Sequence, residues 1–321
     1  MVWWKMPSDE LEDAMMAPRV GVAMWPIESW PRSGRLWLRA EELGFAHAWV
    51  YDHVAWRGTT PWHDGYTTLA AAAAVTSRIR LGTLVTSPNF RHPVPTAHAI
   101  KTIDDISGGR LQIAIGSGGT SRTSDAGILG EGEWSPRERA DRFEEWVHLL
   151  DLLLRGPRTT FTGRFYSAME VVTDPGCVQR PRVPLGIAAT GPRGLRLAAR
   201  QGDLWITTGD PARRAESSVE GVRDQVKRLQ EACAAEGRDP LELRRVMLTG
   251  FTGERPLESL EAFRDLAGRY AEAGITDLVV HWPRPDTPWE ADMSVFEAVA
   301  ADAAGAGPAA SASARPATRP S

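Results

Sequence analysis

The chain of 321 residues carries 37 lysines and arginines against 41 aspartates and glutamates, a formal charge of −4, which excludes the basic face of a nucleic-acid binder. Its two cysteines, Cys177 and Cys233, are too few for a disulfide scaffold and lack metal-ligand spacing. No apolar run approaches the roughly 18 residues of a membrane span, and the acidic start, Ser8-Asp-Glu-Leu-Glu-Asp13, lacks the order of a secretion signal, so a cytoplasmic protein is expected.

Residues 1–17 show no clear period and read as an N-terminal extension. From there, strand and helix signals alternate. Strand-like runs occupy Arg19–Trp25, Phe45–Tyr51, Arg80–Thr86, Leu111–Ile115, Val183–Ala189, Leu204–Thr208, Arg244–Gly250 and Asp277–His281. Helical spacing follows each of them, over 32–43, 66–77, 93–106, 136–154, 193–201, 211–236, 257–273 and 291–303. Ser135-Pro136 supplies an N-cap before a first-turn proline, and Gly44, Gly202, Gly237 and Gly274 sit where helix ends call for a left-handed residue. Eight right-handed βα units predict a closed (β/α)₈ TIM barrel over residues 18–303. An open doubly wound sheet would want a phosphate loop after the first strand, and Val22-Ala-Met-Trp-Pro-Ile-Glu28 is not one.

Two segments break the repeat. Residues 117–135 form a long Gly/Ser/Thr-rich insert after the fourth strand, containing Gly118-Gly-Thr-Ser-Arg122; a connection of that length is a functional lid or a mobile loop. Residues 158–173 alternate around Gly163 as a short hairpin does. From Ala304 to Ser321 the chain holds too few large apolar groups to repay its ordering, so a disordered Ala/Pro/Ser tail is expected.

In a barrel of this kind, chemistry sits at the C-terminal ends of the strands. Those ends read Asp52-His53, Thr83-Leu-Val-Thr-Ser-Pro88, Gly116-Ser-Gly-Gly119, Thr190-Gly-Pro-Arg-Gly194, Thr207-Thr-Gly209 and His281-Trp-Pro-Arg284. His53 is the candidate for proton chemistry; the adjacent Asp52 either fixes its tautomer or binds a cofactor. At 190–194, a first-turn proline, backbone N–H groups and Arg193 would converge on an anion such as a phosphate. Asp104-Asp105 precedes a Gly-Gly turn and reads as solvated or capping. His53, His63, His92 and His98 lack the His-x-His spacing of a barrel metal site, so no metal is expected, and no G-x-S-x-G elbow supports acyl transfer.

Four stretches carry a resemblance: Ala48-Trp-Val-Tyr-Asp-His53, Arg80-Leu-Gly-Thr-Leu-Val-Thr-Ser-Pro88, Thr102 through Gly116, and Gly191-Pro-Arg-Gly-Leu-Arg-Leu-Ala-Ala-Arg-Gln-Gly-Asp203. Together they resemble the bacterial luciferase-like family of flavin-dependent monooxygenases and of reductases and dehydrogenases that use the deazaflavin F420, and look closest to the F420-type branch. The resemblance implies an oxidoreductase that uses reduced F420 or FMN for hydride transfer to, or monooxygenation of, a small organic substrate. It implies that His53 is catalytic and that Asp52 helps hold the cofactor. The Leu84–Val85 peptide is expected to be cis, forming a bulge under the ring, with Ser87 contacting the ring system. The family's phosphate-tail contact matches Gly191 and Pro192, which fits the anion reading of Thr190 through Arg193, and Gly116 and Gly118 are further expected cofactor contacts.

The chain also departs from that family. Its sugar-phosphate dehydrogenases carry a glutamate after the Gly-x-Gly of the fourth strand, where this chain has Gly119, and phosphate-binding lysines with no counterpart among Lys5, Lys101 and Lys227. Of 13 tryptophans, Trp25, Trp30, Trp56, Trp62 and Trp282 fall on rim loops, so an apolar or aromatic substrate is expected against Trp25, Trp56 and Trp282. A homodimer and a separate flavin or F420 reductase are the partners the resemblance implies. A non-catalytic flavin- or F420-binding paralogue, for storage or sensing, is the alternative that Gly119 motivates.

Overall fold

The computed structural model describes residues 17–56, 58–119, 124–131, 134–210 and 218–305. Eight parallel strands close a barrel in the order β1 (Arg19–Met24), β10 (Asp277–His281), β9 (Arg244–Leu248), β8 (Leu204–Thr207), β7 (Leu185–Ala188), β4 (Leu111–Gly116), β3 (Arg80–Thr86) and β2 (His47–Val50). Each is a short β-branched or aliphatic run buried on both faces, as a parallel strand between helices and barrel interior must be. The outer ring comprises α1 (Trp30–Glu42), α2 (Gly65–Val75), α3 (Pro93–Ser107), α5 (Pro136–Arg155), α6 (Pro192–Gln201), α7 (Ser218–Ala235), α8 (Leu260–Glu272) and α9 (Met293–Gly305). Between β4 and α5, one helical turn, α4 (Asp125–Ile128), stands in the Gly/Ser-rich insert.

The predicted barrel is therefore the observed one, with element ends shifted by a residue or two. Helix starts carry the expected chemistry: Ser135 accepts from Glu138 N, and Pro136 fills a first-turn site. The last helix runs through Gly305, two residues into the predicted tail; residues 1–16 and 306–321, with most of the two terminal segments, lie outside the described residues, as do 120–123 of the insert and 211–217 of the predicted sixth helix. Gly44, Gly237 and Gly274 take the expected positive φ, but Gly202 does not: its φ is −81°, and glycine is required because a Cβ would stand 2.8 Å from the Ala198 carbonyl oxygen. The predicted hairpin is β5 (Arg158–Thr162) paired antiparallel with β6 (Ser167–Val172), its turn gripped by Glu145, which accepts from the N–H groups of Arg164, Phe165 and Tyr166.

Two apolar regions hold the fold. One lies between strands and helices and includes the buried Trp37, Trp146 and Trp205; the other fills the barrel interior around Trp25, Trp49, Tyr51, Leu84, Ile206 and Leu248. Asp104, read from sequence as solvated or capping, is fully buried: it accepts from Val178 N, Gln179 N and Gln179 Nε2 and so ties α3 to the segment entering β7. Asp105 is exposed.

Candidate active site

A cavity of about 360 Å³ opens at the C-terminal ends of the strands, within the range of small-molecule sites. Tyr51, His53 and Trp56 follow β2; Leu84 and Val85 come from β3, Thr190 from beyond β7, and Leu248 and Phe251 from β9 and its loop. The Leu84–Val85 peptide is cis, as the resemblance implied, and the β3–β4 register shifts between Thr83 and Thr86. That bulge turns Leu84 and Val85 into the cavity wall. Gly116 makes room for it, since a Cβ there would lie 2.7 Å from Val85 Cγ2.

His53 lines the cavity with its side chain 22% exposed. Its orienting partner is not Asp52 but Asp125: His53 Nδ1 lies 2.8 Å from Asp125 Oδ2, while Val54 N donates to Asp125 Oδ1 at 2.7 Å. A carboxylate accepting at Nδ1 fixes the Nδ1–H tautomer and leaves the Nε2 lone pair for a ligand. Asp125 comes from α4, where Ser124 caps the turn by accepting from Gly127 N. The insert thus brings a carboxylate to the cavity-lining His53, where position 119 has none.

Asp52 departs from both readings of it. Its carboxylate is fully buried and faces away from His53, accepting from Arg91 Nε at 3.0 Å, Arg91 Nη2 at 2.6 Å and Thr86 Oγ1 at 3.0 Å. Burial raises its pKa, against the pull of Arg91 and Thr86. A side chain so occupied and fully buried offers no surface to a cofactor. Ser87 is corrected likewise. It is 2% exposed, accepts from Asn89 N, and is roofed by Gly118, whose Cβ would fall 2.4 Å from Ser87 Oγ. Gly118, at φ +71°, therefore closes over Ser87 and Asn89 and does not line the cavity.

The 190–194 segment starts α6, as read. Gly191 is the N-cap with no side-chain cap bond, Pro192 fills the first turn, and Thr190 touches the cavity. The N–H groups of Arg193 and Gly194 have no intrahelical acceptor at this position and, with the helix dipole, suit an anion. The Arg193 guanidinium does not join them: it turns to α5, pairing with Glu144 at 2.9 Å and Asp141 at 2.8 Å.

The tryptophans divide. Trp56 lines the cavity. Trp25 is 7% exposed and forms part of an aromatic layer beneath it, its Nε1 donating to Trp282 O at 2.9 Å. Trp282 is not a pocket residue, because its ring packs edge-on against Phe296 of α9, 5.1 Å between centroids.

Sequence reading missed Asp125 because no spacing rule links it to His53; its one local signal is the Ser-Asp start of a helical turn inside an insert read as either a functional lid or a mobile loop. It also passed over Tyr51 and His281 as a pair, though both ended predicted strands. Tyr51 Oη and His281 Nε2 are 2.6 Å apart, and burial pushes His281 down to about 3, so the ring is neutral. Among the described residues no three His, Cys, Asp or Glu side chains gather as a metal site, and no helix is long and apolar enough to cross a membrane.

Comparison with known proteins bears on the fold and the family. An F420-dependent secondary alcohol dehydrogenase, solved with an F420–acetone adduct, superimposes with a TM-score of 0.73 at 19% identity, covering 89% of this chain and 99% of that one. The F420-dependent tetrahydromethanopterin reductase of Methanopyrus kandleri gives 0.70 at 20% identity, covering 88% and 97%. At such identities the likeness establishes the fold. In sequence, an F420-dependent glucose-6-phosphate dehydrogenase of Beutenbergia cavernae is 38% identical over 186 residues, 54% of this chain and 51% of that protein. An F420-dependent hydroxymycolic acid dehydrogenase of Mycobacterium tuberculosis is 34% identical over 175 residues, 52% of this chain and 46% of that protein. The chain thus spans about half the length of these curated relatives. The profile of the luciferase-like monooxygenases matches residues 13–317, nearly the whole chain, and the protein belongs to that family.

Proposed function

We propose that this protein is an F420-dependent oxidoreductase that moves a hydride between the deazaflavin and a small, largely apolar alcohol or carbonyl compound. The observation that carries the reading is the meeting of His53, oriented by Asp125, with the Leu84–Val85 bulge in one cavity at the strand ends. Two of the relatives are named as F420-dependent dehydrogenases, which supports the deazaflavin as the reading ahead of FMN.

The residues present fit such a group. A flat ring system wants an apolar wall, and Leu84, Val85, Ile206 and Leu248 supply one. A phosphate-bearing arm wants N–H donors, and the start of α6 beside Thr190 offers them. When bound, the deazaflavin supplies the hydride chemistry. The protein's part is to orient and to exclude water. His53 Nε2 binds the reacting oxygen and holds or accepts its proton, while Asp125 keeps the imidazole in that tautomer. Trp56 and Phe251 close the apolar side of the cavity.

Among the described residues no lysine lines the cavity, and Lys101 is spent on the carbonyl oxygens of Thr173 and Asp174, which does not favour a sugar phosphate. The substrate side is apolar instead. Asp125 also weighs against a storage or sensing paralogue, because the site retains an oriented histidine that binding alone does not require.

Titration with F420 and with FMN, each with and without oxygen and a panel of secondary alcohols, tests the reading. F420 is expected to bind and to be reduced without oxygen by at least one alcohol. Oxygen-dependent turnover with reduced FMN would replace hydride transfer by monooxygenation, and tight binding with no turnover would make the chain a carrier.

A further inference from the structure

A second cavity, also of about 360 Å³, lies beside the first at the barrel mouth, between the loop after β9 and the segment before α9. The two share no lining residue. An aromatic partition of Trp25, Phe251 and Trp289 separates them: the Trp25 and Trp289 rings are 4.8 Å apart, and Phe251 stands 6.2 Å from Trp289. One polar pair crosses this wall. Tyr51 lines the His53 cavity, His281 lines the second one, and their hydrogen bond of 2.6 Å joins the two.

Burying a tyrosine hydroxyl and an imidazole in such a wall is costly unless they are paired, and an apolar filling would have cost less. Both side chains sit in residues no more than 4% exposed. Trp25 stacks on the imidazole, 5.2 Å away at 22°, and fixes its plane. Among the described residues, the titratable and charged groups around the pair are the His53 ring, 6.4 Å from that of Tyr51, the Arg284 guanidinium over Trp25, and Glu254, Arg255, Glu258, Glu290 and Asp292 lining the outer cavity.

We propose that Tyr51 and His281 form a proton relay through the partition, carrying protons between the His53 cavity and the outer cavity. The need for it follows from the proposed hydride transfer: a ligand that fills the inner cavity excludes water, yet each hydride moved to a carbonyl carbon requires one proton at its oxygen. The Tyr51 O–H bond breaks toward His53 Nε2, which passes that proton to the oxygen, and the phenol oxygen takes the proton of His281 Nε2–H. His281 Nδ1 then takes a proton from water in the outer cavity. The imidazole begins and ends neutral, having exchanged one tautomer for the other; it resets once the ligand leaves, when Tyr51 returns a proton to Nε2 and takes one from water in the opened inner cavity, and Nδ1 releases its proton to the outer cavity. Alcohol oxidation runs the same steps backwards, releasing one proton to the outer cavity for each hydride removed. His53 remains the direct partner of the reacting oxygen, and the relay connects the closed site to solvent.

The relay is tested first without cofactor, by nitrogen-15 NMR of histidine-labelled protein. The His281 ring is expected to carry one proton from pH 5 to 8, to exchange that proton with water within seconds, and to shift both nitrogen resonances in Tyr51→Phe. Protection of the ring proton for minutes in heavy water, or unmoved resonances in Tyr51→Phe, overturns the relay whatever the protein's activity. With F420 and a secondary alcohol, Tyr51→Phe and His281→Gln are each expected to lower turnover about 10²-fold. F420 affinity should hold within about twofold of wild type, and the multi-proton solvent isotope dependence of wild type should become single-proton in Tyr51→Phe. Unchanged turnover in Tyr51→Phe, which keeps the ring and the wall, also overturns it. Failure of F420 to bind wild-type protein sinks the proposed function instead, and leaves the NMR result to decide the relay.

Discussion

The two ends of the barrel hold similar chemistry arranged to opposite purposes. At the N-terminal end, Asp277 accepts from His47 Nε2 at 3.0 Å, Arg244 Nη2 at 2.5 Å, Arg19 Nη2 at 3.2 Å and Thr276 Oγ1 at 2.7 Å. Trp49 Nε1 donates to His47 Nδ1, which leaves Nε2 as the protonated nitrogen and the ring neutral. Burial would raise Asp277, but His47 and Arg244 hold it far below the ordinary carboxylate range; burial keeps His47 low as well. Every polar atom of this His-Asp pair is used, and none faces a cavity. At the C-terminal end, His53 has one nitrogen on Asp125 and the other side of its ring on open volume. A strongly shifted pKa therefore does not mark the chemical end here, since Asp277 at one end and His281 at the other are both shifted. What marks the chemical end is a histidine tied at one nitrogen beside a cavity.

The largest break in the comparison is at the top. His53→Ala is expected to lower turnover about 10²–10⁴-fold with little effect on folding; near-normal turnover removes the ring from the mechanism. At the bottom the costs reverse. Asp277→Ala leaves Arg244 and Arg19 facing a buried vacancy and should cost about 3–5 kcal/mol, read as a lowered urea midpoint. Cofactor affinity in the folded fraction should be unchanged. A midpoint within about 1 kcal/mol of wild type would mean that the network reorganises.

Much of this division was legible in the sequence. Strands and helices follow one another in short runs with turn residues between, so the barrel and its chemical end could be read off, and His53 with them. The cis Leu84–Val85 bulge was reachable through the resemblance. Side-chain direction was not. Asp52 and His53 are neighbours whose side chains part, Arg193 finds carboxylates on α5 that lie about 50 residues away in sequence, and Trp282 turns to a helix at the far end of the chain. Asp125 stands 72 residues from His53, inside a segment with no periodicity to interpret. Its substitution measures what was missed: Asp125→Asn keeps the shape but can donate at Nδ1, releasing the tautomer, and should cut turnover by about 10–10³-fold, less than His53→Ala. Equal activity would assign Asp125 to the Val54 N–H alone.

A smaller effect at the structural end depends on pH. Glu41 of α1 accepts from the N–H groups of Ser77, Arg78 and Ile79 where the chain enters β3. Burial raises its pKa, yet these three donors, with the Ser77 hydroxyl, hold it at about 2, below the reference value of 4.5. A depressed carboxylate stabilises the fold above its unfolded pKa, and that contribution is lost as pH falls from about 4.5 toward about 2. Glu41→Gln should therefore cost on the order of 1 kcal/mol at pH 7, allowing for its partial exposure, and progressively less between pH 4.5 and 2. A difference between the two proteins that does not change over that range would assign the effect to shape and not to charge.

The smallest predicted effect bears on the anion end of the site. Arg193 is 39% exposed at its side chain, and its guanidinium lies between Asp141 and Glu144. An exposed pair of this kind is worth about 0–1 kcal/mol. If the start of α6 holds a phosphate through backbone N–H groups, Arg193→Ala should change F420 affinity by less than about twofold, because the variant keeps the N–H at position 193 and loses a charge already neutralised. Glu144→Gln provides the converse: freeing the guanidinium should tighten binding slightly, and added salt should erase the gain. A loss of tenfold or more in Arg193→Ala would mean that the arginine exchanges its carboxylates for the ligand, and would place side-chain charge, not helix geometry, at that end of the cavity.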